Sequence, residues 1–369
     1  MKERKSLIKT LIFIIFVFVL LIGGAIIYNK FFFSKTYVET EELMRDATIS
    51  YLKANKNKLP KVINNSTTVK SDTLIKQGYM KDLSKYLKDG KSCSGEVIVT
   101  NINGNYRYAP YLDCGKNYET LSFMEYINKN VKVVENEEGL NQVNDTLVYK
   151  GDNVDNYIKL GGKMYRIVKF VDGKAVIIYT DVAIKTLWDD RYNIITEKNT
   201  GINDYEVSRI KAYLDSLYEK TGEDRLLGSR SRLLMVSHDL SIGKRSITDN
   251  DKSGKLENAL KLSNQYIGLL PVSDYLNASL DENCTGLLED NASKSCSNYN
   301  YLNRYKYNWW TVTANSKNTF RAFVVNKDED MVISTNANSY AHVRPVFHIS
   351  SDAIYVSGKG TKKNPFVIK

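Results

Sequence analysis

The longest apolar stretch covers residues 11–28, an 18-residue run without a charge, and Phe31, Phe32 and Phe33 extend it. At 1.5 Å per residue, a helix over residues 11–33 would be about 34 Å long, enough to cross a bilayer core. Lys2, Arg4, Lys5 and Lys9 precede it, against a single acid, Glu3. That bias predicts a single-pass membrane anchor with residues 1–10 in the cytoplasm and the remainder extracellular. The run exceeds the apolar part of a usual signal peptide, and no clean small-residue cleavage site follows it. Residues 38–55 read as a helical stalk, with Val38, Leu43, Ala47, Ile49, Leu52 and Ala54 at loosely helical spacing. Glu39, Glu41 and Glu42 sit near its start, where the helix dipole favours acids, and Pro60 marks its end. A short helix follows between a Ser71 cap and a Gly78 stop.

The period then changes from helical to alternating. Residues 97–99 and 106–112 are β-rich and flank Asn103-Gly104, the strongest signal for a two-residue hairpin turn. With those two residues as the turn, cross-strand partners have numbers summing to 207, and Cys93 and Cys114 satisfy that sum. They are expected to face each other as a disulfide. Residues 126–145 include a polar, aperiodic stretch with Glu135, Glu137 and Glu138, which reads as a linker.

A larger domain is expected over residues 146–369. Residues 157–160, 165–171 and 175–179 alternate around the turns Gly161-Gly162 and Asp172-Gly173, an antiparallel meander. Asn203 and Glu206 fit a capping box. Val207, Ile210, Leu214, Leu217 and Tyr218 then predict an amphipathic helix stopping at Gly222. Apolar runs at 233–236, 267–272, 307–312, 320–325, 331–334 and 343–349 predict a strand-rich C-terminal half. Strands in runs, with helices between them, predict an α+β fold: a membrane helix, a small α+β head over residues 34–125, and a β-rich α+β domain.

Composition adjusts this picture in two places. Three of the ten net positive charges lie in residues 1–10 and serve as the orientation signal. The rest are dispersed rather than gathered into a stripe, which argues against a nucleic-acid partner. No catalytic set emerges. Ser237, His238 and Asp239 are adjacent, so alternation sends them to opposite faces, and they cannot form a triad among themselves. His342 and His348 would share a strand face with Arg344, without a spaced third ligand for a metal. Cys284 and Cys296 lie 12 residues apart in a polar loop and are expected to form a second disulfide.

Two binding features remain. Residues 249–256 match the front half of a calcium loop, with Asp249, Asp251 and Ser253 as oxygen donors and Glu257 as substitute for the missing acid at the last position. Calcium is the one cofactor considered; no organic cofactor is expected. Tyr299, Tyr301, Tyr305, Tyr307, Trp309 and Trp310 crowd into twelve residues. If that run is a strand, Trp309 and Trp310 face opposite ways, so one of them is a candidate surface platform, the alternative being that both rim the core. Tyr307, Trp309, Trp310 and Arg344 are the expected ligand-binding residues.

Leu59-Pro60, residues 74–79, Cys93-Ser94-Gly95-Glu96-Val97, Tyr106-Arg107-Tyr108 and Tyr111-Leu112-Asp113-Cys114 resemble the pilin-like or pseudopilin-like modules of Gram-positive bacterial surface proteins. The resemblance implies a hydrophobic N-terminal helix carrying a compact head. The chain departs from the processing motif of that class, because Arg4 takes the place of Gly and Lys9 that of the assembly Glu. A pilin-derived anchor fits better than a filament subunit. Tyr165-Arg166-Ile167, residues 208–214, residues 269–273, Trp309-Trp310-Thr311 and Val343-Arg344-Pro345-Val346 are similar to a domain of bacterial surface proteins with C-type-lectin-like folds, akin to formylglycine-generating proteins. Together these features lead to the expectation of a non-catalytic, membrane-anchored surface protein whose lectin-type domain binds an extracellular glycan, peptide or wall polymer. A minor pilin and a sulfatase-modifying enzyme are the alternatives.

Overall fold

The computed structural model of the chain describes residues 14–24, 35–181, 183–219 and 228–369. Its content is mixed α/β and mostly strands. The expected membrane helix is corrected here. Residues 14–24 are described as helical. No described helix is long and apolar enough to cross a membrane. The rest of residues 11–33 lies outside the described residues, as does the charged tail that set the sidedness. The single-pass anchor and the localisation drawn from it therefore have no support.

The chain divides into two compact units. The smaller takes residues up to 61, 65–100 and 108–120; the larger takes 62–64, 101–107 and 121–369. In the smaller unit, helix Tyr37–Ala54 starts from a capping box in which Thr36 and Glu39 satisfy each other's backbone donors. Its inner face buries Met44, Ala47, Tyr51 and Leu52. Buried Glu41 accepts hydrogen bonds from Tyr118 and Thr120, which satisfies a carboxylate that would otherwise be costly to desolvate. Strands Ser66–Lys70, Ser94–Ile102 and Asn105–Asp113 form a sheet in that order. Asn103 and Gly104 both have positive φ, 50° and 82°, as a tight hairpin turn requires. Cys93 and Cys114 form the expected disulfide, with Cα atoms 4.1 Å apart.

The larger unit holds a ten-stranded sheet and a five-stranded sheet. The first centres on the meander Lys163–Val171 and Lys174–Tyr179, turned at Asp172-Gly173 with φ of 49° and 71°. Strands Val133–Val134 and Gly139–Val143 extend this sheet, so the stretch expected as a linker is built into it. Leu140 and Asn141 are buried there; tertiary pairing overrides a sequence with few apolar residues. The second sheet runs Ile184–Leu187, Tyr340–Val343, Trp309–Ala314, Arg321–Asn326 and Met331–Asn336. Pro345, which has no N–H, separates Tyr340–Val343 from Val346–Ile349, which joins the other sheet.

Two local expectations shift. Helix Arg209–Glu219 begins after Ser208, whose hydroxyl accepts from Lys211 N at 3.2 Å. Asn203 is no cap: its buried amide donates to the carbonyls of Asn315, Asn318 and Arg321, each at 2.8 Å. Ile210, Leu214 and Leu217 do line the buried face. The expected stop at Gly222 lies outside the described residues. The run 267–272 is buried but makes only a single bridge, Gly268 to Val346, before helix Val272–Asn277 starts behind Pro271.

Candidate functional site

The loop 281–304 builds an open polar cleft of about 500 Å³, with Asp152, Lys327 and Asp330 completing its wall. Its covalent staple is the Cys284–Cys296 disulfide, with both cysteines buried. Asn300, fully buried, fixes the loop behind the staple. Its amide donates to the carbonyls of Tyr275 (2.9 Å) and Cys296 (2.8 Å), and its oxygen accepts from Leu302 N at 3.0 Å. That anchor holds the preceding residue, Tyr299, at φ +45°, a left-handed conformation costly for an aromatic residue. The Tyr299 carbonyl accepts from Leu280 N, and its side chain stands 61% exposed at the cleft.

The remaining lining is charged and amide-rich. Arg304 pairs with Asp152, and Lys327 pairs with Asp330. Asp281 accepts from Asn298 Nδ2 at 2.7 Å and Asn283 N at 2.8 Å, with Lys252 the cation acting on it. Those hydrogen bonds, the one from Asn298 foremost, hold its carboxyl below the usual range. Lys327 and Asn303 do the same for Asp330. Asp281 and Asp330 therefore stay ionised beside an exposed aromatic ring.

The residues expected to bind ligand lie elsewhere. Trp309 and Trp310 are both buried, because Trp309–Ala314 is the middle strand of its sheet and both faces are covered. Trp310 Nε1 donates to Thr186 O at 3.0 Å. Arg344 is buried too, its guanidinium 4.4 Å from the Tyr305 ring and 5.0 Å from Trp309. Burial pushes its pKa down to about 10. Tyr307 is partly exposed and stacks on His342 at 4.3 Å. The cluster is a packed cation–π stack rather than a platform. Of the two readings of the Trp pair, the core one holds; the platform reading assumed a sheet with one wet face. Tyr299 is the most exposed ring of the run, and only the Asn/Asp-rich loop around it could have signalled that.

The calcium candidates are not brought together. Glu257 is buried and directed at Arg245 (3.5 Å) and Ser273 N (3.2 Å); burial raises its pKa and Arg245 opposes the rise. Asp249 accepts from Ser246 N at 2.6 Å, and Asp251 accepts from Ser253 N at 3.0 Å and from its hydroxyl at 2.6 Å, so this segment is a self-bonded turn. Among the described residues, the one group of three ligand types close enough for a metal is Asp89, Cys93 and Cys114, and both its sulfurs are in the disulfide. Cys284 and Cys296 are likewise tied up and offer no thiolate.

His342 and His348 do not share a face. They stand on separate strands, and His348 instead stacks on His238 at 3.7 Å with rings 3° from parallel. Burial lowers both pKa values, that of His238 to about 4, so both imidazoles are neutral near pH 7. No curated protein and no solved structure matches the chain. Residues 172–351, just under half of it and including the loop 281–304, are similar to the family described as Domain of unknown function (DUF6273).

Proposed function

We propose that the larger unit is a non-catalytic binding module whose polar cleft takes a glycan. The observation that supports this reading most is Tyr299: an exposed ring held in a strained backbone conformation beside ionised carboxylates and amides. Aromatic faces stack on sugar rings, while carboxylates and amides accept and donate to hydroxyl groups. The disulfide and the Asn300 anchor pre-order the loop, which reduces the entropy lost on binding. A glycan and peptide array probed with the full chain tests the reading. The expected result is enrichment of a glycan subset that Tyr299→Ala and Asp281→Ala both remove. Enrichment on peptides alone, or on nothing, would reject it.

A further inference from the structure

A second concavity shares no lining residue with the first cleft. It consists of two open pockets, about 410 and 380 Å³, that meet at Asn264. One end is built on the Tyr218–Tyr266 stack, with ring centroids 4.3 Å apart and Arg232 over the outer face of the pair at 5.6 Å from Tyr218. The other end holds the stacked His238 and His348 with Ser237. Asn264, at φ +60°, sits where the two meet.

Three observations bear on what this groove accepts. Two polar atoms are buried with incomplete hydrogen bonding: the Tyr266 hydroxyl, which approaches Ser237 and Tyr218, and Nδ1 of His238, whose imidazole approaches the Val236 backbone. Such groups are costly unless a partner arrives. Fixed charge is balanced: Lys174 and Lys261 stand with Asp172 and Asp239 at one end, and at the other Lys211, which pairs with Asp215 at 2.6 Å, and Arg232 over Tyr218 offset Asp215 and Glu219. The imidazoles add no charge near neutral pH, because burial holds both unprotonated. A groove with aromatic edges, amide groups, neutral ring nitrogens and little net field suits an uncharged ligand rich in hydroxyl groups. Its combined volume falls within the range of sites for drug-sized molecules.

We infer that the groove joining Tyr218 and Tyr266 to His238 and His348 is a second binding site, for a short uncharged oligosaccharide. The chain has three histidines, so ring-labelled histidine reports on it directly, with His342 as internal control. Cellotetraose and chitotetraose are titrated into the full-length protein, with a chitosan tetramer, tetragalacturonate and tetra-alanine as charged and peptide comparisons. At least one neutral tetrasaccharide should shift the His238 and His348 signals saturably and leave His342 in place. Asn264→Gly, which keeps the left-handed backbone, should weaken that binding about tenfold, while Tyr299→Ala in the other cleft should leave it unchanged. The inference is overturned if no neutral tetrasaccharide moves the two signals, if only a charged or peptide probe does, or if Asn264→Gly binds as well as the parent. Loss of array binding by Tyr299→Ala alone concerns the first cleft, so the two readings fail separately.

Discussion

Acid should weaken the larger unit through its stacked histidines. His238 and His348 are neutral in the folded state, and burial holds the His238 pKa at about 4 against the ordinary 6.5. For His348 the neighbouring His238 and then Lys169 and Lys174 reinforce the lowering; for His238 both lysines do so, while a hydrogen bond at the Val236 backbone and then Asp239 oppose it. The unfolded chain binds these protons from about pH 6.5 downward; the folded chain does not. The His238 contribution is therefore full above pH 6.5, falls as pH drops toward 4, and levels off below it. At 1.36 kcal/mol per unit, His238 alone accounts for roughly 3 kcal/mol. His348 acts in the same direction. The assay is urea unfolding at half-unit steps from pH 7.5 to 4.0, comparing the parent with His238→Phe, which keeps an aromatic ring in the stack. Carboxylates titrate in both proteins, so the difference reports His238 together with its effect on His348. The variant should lose about one proton, or about 1.4 kcal/mol per pH unit, from the slope between pH 6 and 4.5. Parallel curves would refute the reasoning.

Three further outcomes follow from the packing. Replacing Cys284 and Cys296 with Ala should lower stability by about 3 kcal/mol in thermal or urea unfolding, as expected for opening a loop of this length. It should also weaken binding at the first cleft. Trp310→Ala should cost about 3–5 kcal/mol, because it empties a buried position on the middle strand, and a surface platform would lose almost nothing. Arg245→Met should destabilise by about 3–5 kcal/mol by leaving Glu257 buried without its cation, while saturating calcium should leave the Tm of the parent unchanged. A calcium-dependent rise would show that Glu257 serves the turn instead.

What the sequence disclosed followed from local rules. Asn-Gly and Asp-Gly dictated their hairpins, because few other residues tolerate two successive left-handed conformations. The register of the first hairpin then paired Cys93 with Cys114. The apolar face of Arg209–Glu219 was legible at Ile210, Leu214 and Leu217. Long-range packing was not. Nothing local says that both faces of Trp309–Ala314 are covered, that Glu257 turns to Arg245, or that His238 meets His348 from 110 residues away. Asn203 carried a cap signature but spends its amide on three distant carbonyls. The N-terminal anchor was read from an uncharged apolar run and its basic flank, and no described helix is long and apolar enough to cross a membrane.

The most direct test of the binding account is calorimetric titration of the best array glycan into the full-length protein and into Tyr299→Ala. The account predicts at least a tenfold weaker Kd for the variant, about 1.4 kcal/mol, with an unchanged Tm because the ring is exposed. Equal affinity in the two proteins would contradict it.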